Sequence, residues 1–142
     1  MLYQDFLKEM KVCPFCAGKD RIIAETDRAF LTYALAPYYQ HHLLVIPKRH
    51  VHSRDELTAE EKADIDALQL QGLKALKNLG HENVTFLERD GNTKNKSVEH
   101  MHFHLIPEIL IGDLDHVGEP RKVLTQIQID ETVAEVSRAL GK

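Results

Sequence analysis

Only two cysteines occur among the 142 residues, and both stand in one run, Cys13-Pro14-Phe15-Cys16. That is too few for a disulfide framework, and a lone Cys-x-x-Cys points to metal or redox use instead. An uninterrupted apolar stretch is lacking at the N-terminus, where Asp5, Lys8, Glu9 and Lys11 break up residues 1–12. This argues against a cleavable signal and leads to the expectation of a cytoplasmic protein. Residues 29–47 carry no Asp, Glu, Lys or Arg, yet Pro37 and the run Gln40-His41-His42 interrupt them. Two strands joined by a turn explain that segment better than a membrane span, so no membrane partner is expected. Positive charge is not in excess either: Lys and Arg number 18 against 22 Asp and Glu, for a net charge of −4. A nucleic-acid binder held by counterion release would want the reverse. No repeat or low-complexity tract is visible.

The remaining composition, 43% hydrophobic and 28% charged, is that of an ordinary globular protein. A chain of this length is one domain that can bury a real core, so residues 1–142 are read as a single domain. Leu2, Phe6, Leu7 and Met10 have helical spacing, and strands are predicted at about 21–26, 29–35 and 42–47. Ser53-Arg-Asp-Glu56 and Thr58-Ala-Glu-Glu61 both have the capping-box pattern. The second opens a long helix with Ile65, Leu68, Gly72, Ala75, Leu76 and Leu79 on one face, ending at Gly80. Val84 to Glu88 reads as a strand, and Arg89 to Lys96 as a polar loop. Beyond Pro107, Ile109 to Ile111 extend or pair with the sheet, and Asp130 is expected to cap a last helix carrying Val133, Val136 and Leu140. The order is that of an α+β fold with an antiparallel sheet of about five strands, one long helix and a C-terminal helix.

Residues His100 to Pro107 read His-Met-His-Phe-His-Leu-Ile-Pro. A period of two is that of a strand, so His100, His102 and His104 line one face while Met101, Phe103 and Leu105 line the other. A lone histidine, such as His81 or His116, is read as a structural residue held by a backbone partner. Three in register are chemistry. Near pH 7 most imidazoles are neutral, their ordinary pKa being about 6.5, and such a row can supply metal ligands, a nucleophile and hydrogen-bond donors. Cys13 and Cys16 leave two readings open, a redox dithiol or half of a tetrahedral zinc site.

The alternation His-apolar-His-apolar-His-apolar-apolar resembles the signature of the histidine triad (HIT) superfamily of nucleotide hydrolases and transferases. Further likeness lies in Cys13 to Cys16, in Ile23 to Thr26, in Pro37 to His50 with its His42-Leu-Leu-Val-Ile-Pro ending, and in Ser97 before the triad. It spans about residues 12–107, which leaves 108–142 as a C-terminal extension. The resemblance implies a HIT-like fold and a structural zinc ion on Cys13, Cys16, His50 and His100. It implies His102 as the nucleophile, its second nitrogen held by a backbone carbonyl, with His104 and Ser97 as donors to the phosphate or leaving group and His42 in support. His104 stands where the galactose-1-phosphate uridylyltransferase branch typically has another residue, which favours the hydrolase branches. Departures fall in the substrate region. Arg89 replaces a frequent asparagine, Asn95-Lys96 a common Gly-Gln, Ala34 a ribose-binding aspartate and Glu108 a frequent arginine. Arg89, Lys94 and Lys96 share one loop, and Arg89 and Lys96 are read as phosphate-binding cations.

The leading function is then a phosphoramidase or dinucleoside polyphosphate hydrolase working through a covalent nucleotidyl-histidine intermediate. The alternatives are a nucleotidyltransferase to a sugar phosphate or other acceptor, a non-catalytic zinc-containing nucleotide-binding protein, and a three-histidine catalytic metal centre on His100, His102 and His104. A homodimer is expected from the resemblance.

Overall fold

The computed structural model describes residues 1–10, 12–17, 22–91, 98–109 and 122–141. Its elements are α1 (Tyr3–Glu9), α2 (Pro14–Ala17), β1 (Ile22–Glu25), β2 (Ala29–Tyr33), β3 (Leu43–Pro47), α3 (Ala59–Asn78), β4 (Val84–Glu88), β5 (Phe103–Pro107) and α4 (Gln126–Ala139). The expected α+β class and five-stranded sheet are both observed. All neighbouring strands pair antiparallel in the order β1-β2-β3-β5-β4. The chain therefore leaves β3 by α3, forms the edge strand β4 and returns with β5 into the gap. Two compact units divide the chain, Met1–Leu110 and Ile111–Lys142. Among the described residues no helix is long and apolar enough to cross a membrane.

Strand alternation gives the sheet two working faces. Ala29, Leu31, Leu43, Val45, Met101, Phe103 and Leu105 point to one side, where Ile65, Leu68 and Leu76 of α3 cover them in a single buried cluster. Phe30, Ala34, Leu44 and Ile46 point to the other, with Phe15 and Ile22 packed against them. A helix so close to a sheet needs a small residue in its middle. A Cβ built on Gly72 would lie 2.9 Å from Leu105 Cδ2 and 3.4 Å from Leu31 Cδ1.

α3 starts where its sequence says it should. Thr58 Oγ1 accepts from the Glu61 N–H while the Glu61 carboxylate accepts from the Thr58 N–H, a complete capping box. Glu61, 4% exposed, also receives two bonds from Arg49, which couples the helix start to the end of β3. At the other end Gly80 takes φ +95°, and its N–H and that of His81 reach back to Lys77 O and Leu76 O. This paired closure is the Schellman motif.

Several expectations are corrected. The Ser53–Glu56 box does not form: Ser53 Oγ donates to Asp90, and Arg54–Glu56 make a single 3-10 turn. Ala75 and Leu79 are exposed, while Leu76 between them is buried in the core. Asp130 lies inside α4, whose N-cap is Thr125, five residues earlier, in a capping box with Gln128. His100 to His102 precede the strand, and β5 begins only at Phe103. It ends at Pro107, because Glu108 adopts φ +65° and leaves the extended conformation. Ile109 still contacts the sheet, accepting a bond from Thr85 Oγ1 at its carbonyl. Ile111 and His116 lie outside the described residues.

Candidate active site and metal centre

The face opposite α3 carries a cavity of about 580 Å³. Aromatic and aliphatic side chains form most of its wall: Tyr3 and Phe6 from α1, Phe15 from α2, Phe30 from β2, Leu44 and Ile46 from β3. Its polar groups converge from one side, where Thr32, His42, Arg89, His102 and His104 sit. The register explains the convergence. Thr32 pairs with Leu44, and Leu44 and Leu87 both pair with His104, so one row crosses four strands and points one way. A cavity of this size with an apolar wall and a few convergent polar groups has the character of a small-molecule site.

Backbone groups decide where the imidazole protons sit. His102 Nδ1–H donates to the carbonyl oxygen of His100 at 2.8 Å, so in the neutral ring the lone pair is on Nε2. The Tyr38 N–H donates to His42 Nδ1 at 3.2 Å, which puts the His42 proton on Nε2. That N–H donates to His104 Nδ1 at 2.9 Å and leaves His104 with its own proton on Nε2. Burial keeps the His42 and His104 rings neutral. The His42 pKa falls to about 4 and that of His104 to about 3, first through desolvation and then through repulsion by His102. His102 and His104 meet edge to face with centroids 4.9 Å apart, and the Phe15 ring lies 4.9 Å from His102 on the cysteine side. The arrangement offers a nucleophilic nitrogen beside a neutral N–H donor inside one cavity.

His100 serves something else. Its Nε2–H donates to Pro47 O at 2.7 Å, so the lone pair on Nδ1 faces Cys13 Sγ at 3.4 Å and Cys16 Sγ at 3.5 Å. His50 Nδ1 stands 3.3 Å from Cys16 Sγ. All four ligand atoms lie within 4.8 Å of one another, the one such group among the described residues, and they could hold a metal ion. Burial lowers the His100 pKa to about 4, which keeps the ring in its ligating form. Both nitrogens of His100 are thus directed away from His102 and His104. A catalytic metal shared by the three triad histidines is not what this geometry forms.

Most of the residues singled out in the sequence come together in two groups. Cys13, Cys16, His50 and His100 converge from α2, the end of β3 and the start of the triad segment, and His42, Arg89, His102 and His104 share the cavity. Ser97, Lys94 and Lys96 lie outside the described residues. Tyr38 was missed. Its ring stacks on His42 with centroids 5.6 Å apart, but Pro37-Tyr38-Tyr39 reads only as a turn in the sequence. Phe15 was missed as well, although its place between the cysteines was the available signal. His81 differs from its expected role, since its ring is paired not with backbone but with the imidazole of His41 at 2.8 Å.

Comparison with known proteins gives consistent findings. The HIT domain family model matches residues 17–109. An adenosine 5'-monophosphoramidase of Schizosaccharomyces pombe is 38% identical over 86 residues, which are 61% of this chain and 62% of that protein. A bis(5'-adenosyl)-triphosphatase of Dictyostelium discoideum is 32% identical over 96 residues, 66% of this chain and 64% of its own length. In both cases the matched segment spans less than two thirds of the relative. Among solved structures, a histidine triad nucleotide-binding protein from Candida albicans superposes with a TM-score of 0.74 at 20% identity, covering 92% of this chain and 98% of that one. A HIT family member from Bacillus subtilis gives 0.68 at 24% identity, covering 92% and 96%. These likenesses establish the fold.

Proposed function

Because the chain belongs to the HIT domain family, we propose that it is a nucleotide hydrolase that cleaves a phosphoramidate or a dinucleoside polyphosphate through His102. The observation that carries this reading is the His102 Nδ1–H bond to the His100 carbonyl, which leaves Nε2 as the basic nitrogen beside the cavity. In the first step the Nε2 lone pair forms a bond to phosphorus while the P–N or P–O bond to the leaving group breaks; a phosphate leaves as an anion, and an amine takes up a proton from solvent water. In the second, water attacks phosphorus, the histidine–phosphorus bond breaks with its electron pair returning to Nε2, and the attacking water's proton is released to solvent. His104 donates its Nε2–H to a phosphoryl oxygen as charge develops, and Ser97 donates to the phosphate or leaving group. Arg89 and Lys96 neutralise phosphate charge, and the aromatic wall receives the base. Support for the substrate class comes from the names of the phosphoramidase and triphosphatase relatives.

The metal in this reading is structural zinc. With Zn–S near 2.3 Å and Zn–N near 2.0–2.1 Å, the S···N edge of a tetrahedral site is about 3.5 Å. The observed edges of 3.3 to 3.5 Å fit that figure. Zinc supplies a cross-link here, tying α2 and its Phe15 ring to the triad segment. Homodimer assembly and a cytoplasmic location belong to the same proposal.

Intact-mass spectrometry after rapid acid-free quenching tests the chemistry. With adenosine phosphoramidate or a dinucleoside polyphosphate, the wild type is expected to carry a nucleotidyl adduct that His102→Asn lacks. An adduct of equal yield on both proteins would overturn the assignment of the nucleophile.

A further inference from the structure

The turn that joins β2 to β3 is held by something outside the sheet. Between Pro37 and His42 the chain reverses with a Tyr39 O bond to the His42 N–H at 3.1 Å, and His41 sits at φ +70°. For a residue with a Cβ that left-handed conformation is unfavourable and persists only when its surroundings hold it. The holding contact is an imidazole pair: His41 Nδ1 and His81 Nε2 are 2.8 Å apart, one ring's N–H donating to the other's lone pair. The ring of Tyr39 adds an edge contact to His81 with centroids 6.3 Å apart.

His81 is itself fixed. It is the residue after Gly80 in the closure of α3, its N–H bonded to Leu76 O at 3.1 Å, and Leu76 is fully buried in the core. The end of α3 is therefore a rigid post, and the His41–His81 pair is the strut from that post to the turn. What the turn presents is the Tyr38 N–H, aimed at His42 Nδ1, with the Tyr38 ring stacked on His42. Without that donor, nothing in this segment distinguishes the two neutral tautomers of His42. In the other tautomer His42 Nε2 would accept from His104 Nδ1–H, and His104 would face the cavity with a lone pair instead of an N–H.

We propose that His81 is a positioning residue for the site: acting through His41 and the Pro37–His42 turn, it sets the proton register of the His42–His104 pair so that His104 is a donor. This rests on the reading of His104 as the donor to phosphate, although the proton register itself can be observed without turnover. Two variants remove the strut differently. His81→Phe keeps the ring volume, and His41→Gly removes the imidazole at a φ that glycine accepts without strain. His81→Gln retains a side chain able to hydrogen-bond the His41 ring.

The measurement is long-range 15N–1H NMR of the imidazoles in the full chain, paired with steady-state kinetics on adenosine phosphoramidate. In the wild type, His42 and His104 are expected as single Nε2–H tautomers. In His81→Phe and His41→Gly both rings should show averaged nitrogen shifts, with kcat falling about tenfold, as for one lost hydrogen bond at the reacting centre, and KM changing less than twofold. His81→Gln should restore both. Unchanged tautomers in folded His81→Phe and His41→Gly overturn the proposal, as does a loss confined to KM with the tautomers intact. If the wild type shows the expected tautomers but turns over no nucleotide, the hydrolase reading fails while the NMR comparison still decides the role of His81.

Discussion

Acidification should destabilise this protein well before its carboxylates protonate, because His42 and His104 are buried in their neutral forms. Their relative exposures are 2% and 8%, and their pKa values stand at about 4 and about 3. In the unfolded chain both return to about 6.5, so the unfolded state binds more protons below that value and stability falls as pH falls. Between about pH 7.5 and about pH 5.0 each ring contributes roughly 2 kcal/mol of this loss, or about 4 kcal/mol for the pair. Against a typical total of 5–15 kcal/mol that is large, and it corresponds to a fall in Tm of roughly 10–20 °C for a domain of this size. The window ends above the carboxylate range. Glu61, whose pKa is lowered by its Arg49 bonds, adds its own loss only at more acid pH. The assay is thermal unfolding followed by circular dichroism at several pH values, for the wild type and for a His42→Gln/His104→Gln double variant. The wild type should lose about 4 kcal/mol more than the variant across the window. Parallel curves for the two proteins would refute the burial argument.

Elemental analysis should find about one metal ion per chain in the wild type and in His102→Asn, and much less in Cys13→Ser or His100→Asn, with a lowered Tm in the last two. Metal lost from His102→Asn would instead implicate the triad in binding it. Replacing Thr58 by Ala removes the hydroxyl that accepts the Glu61 N–H and should cost about 1–2 kcal/mol in urea unfolding; an unchanged midpoint would show that α3 does not depend on this cap. Arg89→Ala, on the cavity wall, should raise KM for a dinucleoside polyphosphate roughly tenfold or more while leaving Tm nearly constant. An unchanged KM would remove Arg89 from phosphate binding.

Local patterns carried much of this structure into view. The alternation through residues 101–105 assigns Met101, Phe103 and Leu105 to the core, and all three are buried there. The Thr58–Glu61 box and Gly80 bound α3, and Val84 to Glu88 is a strand over its full expected length. Such features depend on neighbours within a few residues, which a linear sequence displays directly. The same locality explains the errors. Ser53 carries a capping pattern equal to that of Thr58, but Asp90, 37 positions away, takes its hydroxyl. Tertiary structure alone decided how the imidazoles divide their work. Cys13 meets His100 across 87 positions, His42 meets His104 across 62 and His41 meets His81 across 40. The His42–His104 contact follows from the pairing of β5 with β3, and the His41–His81 contact from where the end of α3 falls. The sequence by itself determined that three histidines alternate with core residues and that the two cysteines stand in one Cys-x-x-Cys. Only the packed sheet determined which nitrogen of each ring carries the proton, since that follows from backbone carbonyls and amides that folding brings into contact with the rings.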